Sequence, residues 1–365
     1  MFEQHQALRA SRTVLRQRAV SLRDASPAEI PDKAGTAALL PRHSDIQVAV
    51  SADYDIGSGL TFAFGYEIFY FDEARDDSGQ PKSVAKRIKR PMLVEQRKVE
   101  EEGNIFCQRL GHLVQDIGAA DAAIRPIRRR KNPDYPDPTI QFYLWDRLTL
   151  DHLSRVMGRH LLRVQTEEMR TRTDISFTSW LFPAEQTLED PGYIGRESPV
   201  TIVSDVINSL IAAPIPHHYA LIEVANSYPP RRADGSKPYE YRVSPFYMDP
   251  LSDQIPPERG HEIWSKRTPY KDGDYQTHRV TVRSVVEEKL SAILSVTRRL
   301  VQDLADTLTA EAPRSAGASA TVVSASSRGQ FWTPIWSGPL GAGNRQAADL
   351  TVGRGFRSSN CCGLR

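Results

Sequence analysis

Cysteine is nearly absent: of three in 365 residues, Cys107 stands alone while Cys361 and Cys362 are adjacent. That spacing excludes a disulfide framework and a four-ligand zinc site, and it makes a reducing, cytoplasmic setting the expectation. Long apolar runs are missing too. No stretch approaches the roughly 20 apolar residues that span a bilayer, and the N-terminus has no apolar signal core, so no membrane partner is expected. A surplus of one charge is also lacking. The net charge of +2, from 47 Lys and Arg against 45 Asp and Glu, is too mild to demand a polyanionic partner. No G-x-x-x-x-G-K-[ST] string occurs, which removes the loop that cradles nucleotide phosphates and leaves no basis for ATP hydrolysis by this chain alone. No H-E-x-x-H string accompanies His217 and His218, which read as structural or surface histidines, and no G-x-S-x-G elbow supplies a serine nucleophile.

What is there divides the chain into four stretches. Residues 1–43 pair a basic amphipathic helix with a proline-bearing linker. Leu8, Leu15, Ala19 and Leu22 are expected on its apolar side, and Arg9, Arg12, Arg16 and Arg23 on a face that is solvated or touches phosphates. Residues 44–270 read as a mixed α/β domain. "DIQVAVSADYD" and "LTFAFGYEIFYF" around "GSG" predict a β-hairpin; a loop follows over 72–80, a basic patch over 82–90 and a helix over 94–118. "RPIRRRKNPDYPDP" reads as an exposed connector, "TIQFYLWD" as a strand feeding the helix "RLTLDHLSRVMGRHLLRV", and residues 199–212 as another helix. Residues 271–312 form a long helix in which Val286, Leu290, Ile293, Leu300 and Leu304 recur at heptad-like spacing around Thr297, so it needs a partner surface on another domain or chain. Residues 313–365 are rich in Ser, Ala and Gly without periodicity, the composition of a disordered tail.

The remaining chemistry lies in carboxylates at strand ends. Asp53 and Asp55 close the first strand, Asp146 and Asp151 follow "FYLW", and Asp249 and Asp253 flank "PLS". Acids from separate elements are what a two-metal phosphodiesterase needs to bridge two Mg²⁺ or Mn²⁺ ions. The same aspartates also suit turns and helix caps.

Four segments in order carry a resemblance. "LLPRHSD" at 39–45, "GLTFAFG" at 59–65, "IQFYLWDRLTLDHLSRVMGRH" at 140–160 and "APIPHHYALIEVANSY" at 213–228 resemble, across most of residues 8–267, the RecB-like nuclease family. "FYMDPLSDQIPPERGHEIW" at 246–264 resembles that family's last acidic segment more faintly. The family carries a ribonuclease-H-like, DnaQ-like exonuclease domain, usually fused to a superfamily 1 helicase. The resemblance implies a ribonuclease-H-like mixed sheet flanked by helices, Mg or Mn at an active centre, and DNA and a helicase domain or subunit as partners. On this register the family's D-x-E pair falls on Ala49 and Ser51, leaving Asp53; the second acid falls on Thr149, two residues before Asp151; the third falls near Leu251, between Asp249 and Asp253.

Three functions therefore stay open. The first is a nucleic-acid-processing module of a nuclease–helicase with degenerate metal motifs, serving DNA binding or inter-domain contact. The second is an active Mg- or Mn-dependent DNA exonuclease with Asp53, Asp55, Asp151 and Asp249 as catalytic residues, of which Asp53, Asp55 and Asp249 bind metal. The third is a non-enzymatic scaffold. Candidate contacts to DNA, single-stranded DNA included, are Lys86, Arg87, Lys89 and Arg90, with Arg128, Arg129 and Arg130. Trp145, His217 and Tyr219 could stack on bases but read first as core.

Overall fold

The strand Ile46–Tyr54 (β1) has no polar face to give to solvent: its residues are buried on both sides as far as Asp53. Such a strand belongs in the middle of a sheet covered on both faces. In the computed structural model, which describes residues 6–31, 40–41, 44–75, 81–134, 138–171, 200–216, 218–231, 236, 238–271 and 273–311, it occupies that place. The expected hairpin carries it into Thr61–Arg75 (β2), and Gly59 turns the corner at φ 67°, where a side chain would be strained. Pro81–Leu93 (β3) extends the antiparallel part, while Ile140–Leu144 (β4) and Val200–Ile202 (β5) add parallel strands on the other side. The order β3-β2-β1-β4-β5 makes a five-stranded mixed sheet flanked by helices, the α/β class expected and consistent with a ribonuclease-H-like arrangement.

Alternation along β1 divides the core in two. Ile46, Val48, Val50 and Ala52 meet Phe106, Leu110 and Val114 of the helix Val99–Lys131 (α2) and Leu153 and Val156 of Arg147–Arg159 (α3). The helix Leu161–Thr171 (α4) continues this layer. Ala49 points the opposite way, into a cluster built by Val203–Leu210 (α5), Leu221–Ser227 (α6), Pro257–Ser265 (α7) and Tyr275–Glu311 (α8). α8 lies so close to the sheet that a Cβ on Gly65 would come within 2.9 Å of Val286 and 3.2 Å of the Pro91 backbone. Val286, Leu290, Ile293 and Leu300 are buried in the expected register, and the buried Thr297 returns its hydroxyl to the Ile293 carbonyl at 2.8 Å.

Several elements depart from expectation for physical reasons. The partner surface of α8 is the sheet of its own chain, and all described residues fall in one compact unit, Met1–Trp332. The basic patch at 82–90 is strand β3: at a sheet edge, pairing with β2 fixes the conformation and the exposed side chains need not be apolar. α2 runs past 118 to Lys131, through Pro126, because Ile117, Ala120 and Ile124 keep its inner face buried; the connector read from "RPIRRRK" is its last two turns. The helix expected from 199 begins as the three-residue β5, too short to show a period. In Gln6–Asp24 (α1) the inward face holds Val14, Arg18 and Ser21, while Leu15 and Leu22 are exposed. Arg18 fixes that rotation by donating to the Ile211 carbonyl at 2.9 Å and the Asn208 carbonyl at 2.8 Å, capping the end of α5. The expected tail from 313 and His217 lie outside the described residues.

Candidate functional site

β1 and β4 pair in parallel as far as Val50 and Leu144, so both strands end at the same edge of the sheet. Asp53 closes the first with no exposed surface, and Asp146 follows the second as the cap of α3, accepting the Thr149 N–H at 2.7 Å. Lys289 reaches this point from α8. Its ammonium is buried and donates to Asp53 Oδ1 at 2.5 Å, and the Ile255 N–H donates to the same oxygen at 2.8 Å. The Gln254 amide, with its nitrogen turned toward the strand, donates to Ala52 O at 3.2 Å and to Asp53 Oδ1 at 3.0 Å. Asp53 Oδ2 is buried and accepts no hydrogen bond. Burial pushes the Asp53 carboxyl above its ordinary range, against the pull of the Lys289 ammonium and the Ile255 N–H.

A second buried carboxylate anchors the loop that delivers Ile255. Asp253, in left-handed backbone at φ 54°, accepts the Trp145 indole N–H at 2.6 Å and the Leu221 N–H at 2.8 Å. His218 Nε2 stands 3.5 Å from it. Burial raises the Asp253 carboxyl too, and those donors oppose the rise. Trp145 and Tyr219 are thus core residues: the indole is sequestered by Asp253, and the Tyr219 hydroxyl bonds the backbone of Ala213. On the other face, beside Tyr54, His152 stacks at 3.8 Å and bonds Thr61 Oγ1 at 2.8 Å; burial lowers its pKa to about 4.

The four candidate acids do not form one centre. Asp53 is tied to Lys289. Asp55 follows a β-bulge at 53/54, so the proposed D-x-D face is lost, and its carboxylate serves the next turn through the N–H groups of Gly57 at 3.2 Å and Ser58 at 3.0 Å. Asp249 holds another turn through the Leu251 N–H at 2.9 Å and the Ser252 hydroxyl at 3.0 Å. Asp151 is exposed on α3. Ala49 and Ser51 do share a face with Asp53, but α8 covers it. Among the described residues no three His, Cys, Asp or Glu side chains form a group able to hold a metal ion. A bound Mg²⁺ or Mn²⁺ does not fit: the one acid at the expected place is already neutralised by an ammonium that would repel a divalent cation.

The basic stretches also come apart. Alternation along β3 sends Arg87 and Lys89 to the α8 side, where they flank the buried Glu67 at 2.5 and 3.8 Å. Lys86 and Arg90 fall on the α2 side, where Arg90 pairs with Asp116 at 3.1 Å. Arg128 binds Asp45 at 2.9 Å, Arg130 pairs with Glu73, and Arg129 is exposed. Lys289 was not among the candidates, although one signal marks it: a lysine inside the apolar register of Val286, Leu290 and Ile293 is a buried charge that must find an acid.

Comparison with known proteins adds no relative: no family model, no curated protein and no solved structure matches the chain.

Proposed function

We propose that the chain is a nucleic-acid-processing module with an exonuclease-type fold whose metal-binding motifs are degenerate, and that it serves DNA binding or contact with a helicase domain or subunit rather than hydrolysis. The observation that carries this reading is the buried Lys289–Asp53 pair, which places a cation of the protein itself against the strand-end carboxylate. The order of the four sequence segments and the mixed sheet support the nucleic-acid part of the reading. The test is cleavage of labelled single- and double-stranded DNA by the full chain with Mg²⁺ or Mn²⁺, alongside binding at several salt concentrations. Binding that weakens steeply with salt, with no metal-dependent cleavage, is expected. Metal-dependent cleavage that disappears in Asp53→Ala would establish the active exonuclease instead, and the absence of any binding would favour a scaffold.

A further inference from the structure

Away from Asp53, on the same sheet face, β2, β3, α8 and residues 229–231 and 238–241 line a pocket of about 430 Å³. That volume lies in the range of small-molecule sites. We propose that it binds a nucleotide unit, an aromatic base carrying a phosphate. This deepens the nucleic-acid reading above and rests on it for a DNA strand as the source of the unit; the pocket chemistry itself does not depend on it.

Two features point to that ligand. The first is charge. Among the described residues, Arg87, Lys89, Arg231 and Arg298 line the pocket with one carboxylate, Glu288. Buried acids hold three of these cations from behind: Glu67 contacts Arg87 and Lys89, and Asp303 contacts Arg231 at 2.7 Å. Arg298 is held by its stacking on Phe69, 4.2 Å from the ring centroid. Cations fixed in this way lose little freedom when an anion arrives, and guanidinium groups suit phosphate geometry.

The second feature is an aromatic wall. Tyr239 is 56% exposed and meets Tyr241 edge-on at 4.9 Å, so its ring is supported without being covered on both faces. Bases of any sequence stack on such a ring. Glu288 Oε1 accepts the Tyr239 hydroxyl at 2.7 Å and steadies the ring from the pocket wall. Phosphate on the arginines and base on Tyr239 together describe a nucleotide better than a simple anion.

The test measures binding of AMP and dTMP by calorimetry and of fluorescein-labelled oligo(dT) by anisotropy, using the full chain and the variants Tyr239→Ala and Lys89→Gln, with thermal unfolding as a check on folding. Either variant should weaken binding, by about tenfold for loss of the stacking ring. Weakened mononucleotide binding supports the pocket with a free nucleotide as ligand; weakened binding of oligo(dT) alone supports it with the strand as source. Oligo(dT) binding unchanged in both variants overturns the pocket and leaves the nucleic-acid reading standing. Mononucleotide binding lost in the variants, with no strand binding, leaves the pocket standing and removes that reading. No binding of either probe overturns the pocket and the DNA-binding half of that reading.

Discussion

Two consecutive residues of α8 look into very different places. Lys289 enters the closed end of the sheet and meets Asp53 with almost no access to solvent, whereas Glu288 turns to the open pocket and meets the half-exposed Tyr239. Successive residues on a helix point about 100° apart, so one element can seal one region and line another. At the closed end one ammonium meets the strand-end carboxylate, and the neighbouring Asp253 is held by N–H donors. The pocket turns four cations toward its opening, three of them braced by the buried acids Glu67 and Asp303. A buried ion pair is accounted for by its own partner, while charged side chains braced to face an open wall are better evidence of a ligand.

The sharpest way to break this contrast is to remove one half of the buried pair. Lys289→Met leaves Asp53 as an uncompensated buried carboxylate, which should cost about 3–5 kcal/mol in urea unfolding. Adding Asp53→Asn should recover much of that loss, since both charges are then gone. A single substitution costing less than about 1 kcal/mol would mean that this end is wet, and the argument against a metal there would weaken with it.

The hairpin, the β4–α3 unit and the register of α8 were legible because each has a strong period: "DIQVAVSADYD" alternates, and Val286, Leu290 and Ile293 recur on one helical stripe. β3 was not legible, because its lysines and arginines describe what an edge strand shows to solvent and only pairing with β2 makes it a strand. Asp53 could be picked from its place at a strand end. Lys289 is marked as a charge inside an apolar register, but its pairing with Asp53 could not be read, because the two lie 236 residues apart. The acids at 55, 151 and 249 looked equivalent to Asp53 on paper; a bulge, an exposed helix face and a local turn separate them. In the pocket, Arg87 and Lys89 were visible as part of a basic run, but nothing local announces that Tyr239 and Arg298 meet them.

A second probe, on the opposite face of the sheet from Lys289, reads burial by titration. Burial holds His152 at a pKa of about 4, against about 6.5 in an unfolded chain. The folded state excludes the proton that the unfolded state accepts, so this residue's contribution to stability is intact above about pH 6.5 and is lost as pH falls toward 4. The whole effect is about 3 kcal/mol. Carboxylates raised by burial, Asp53 and Asp253, act in the opposite sense as pH falls, so total stability is the wrong readout. The difference between wild type and His152→Gln isolates the histidine. It should shrink between pH 7 and pH 4, and a constant difference would mean that His152 titrates as an exposed residue does.

The smallest expected effect lies at the open end, and its smallness is the point. Tyr239→Ala removes a ring that is 56% exposed and a hydroxyl whose partner, Glu288, sits at the pocket wall, so stability should change by no more than about 0.5 kcal/mol. Lys89→Gln gives up a contact of 3.8 Å to Glu67, which keeps Arg87 at 2.5 Å and the Ser291 hydroxyl at 2.9 Å. Partly exposed pairs of this kind contribute about 0–1 kcal/mol. If both variants unfold like wild type, the tyrosine and the lysine are not there for the fold, and their loss can be read in ligand binding alone. If instead Tyr239→Ala unfolds several degrees earlier, residues 238–241 depend on that ring, and the pocket belongs with the closed end as part of the core.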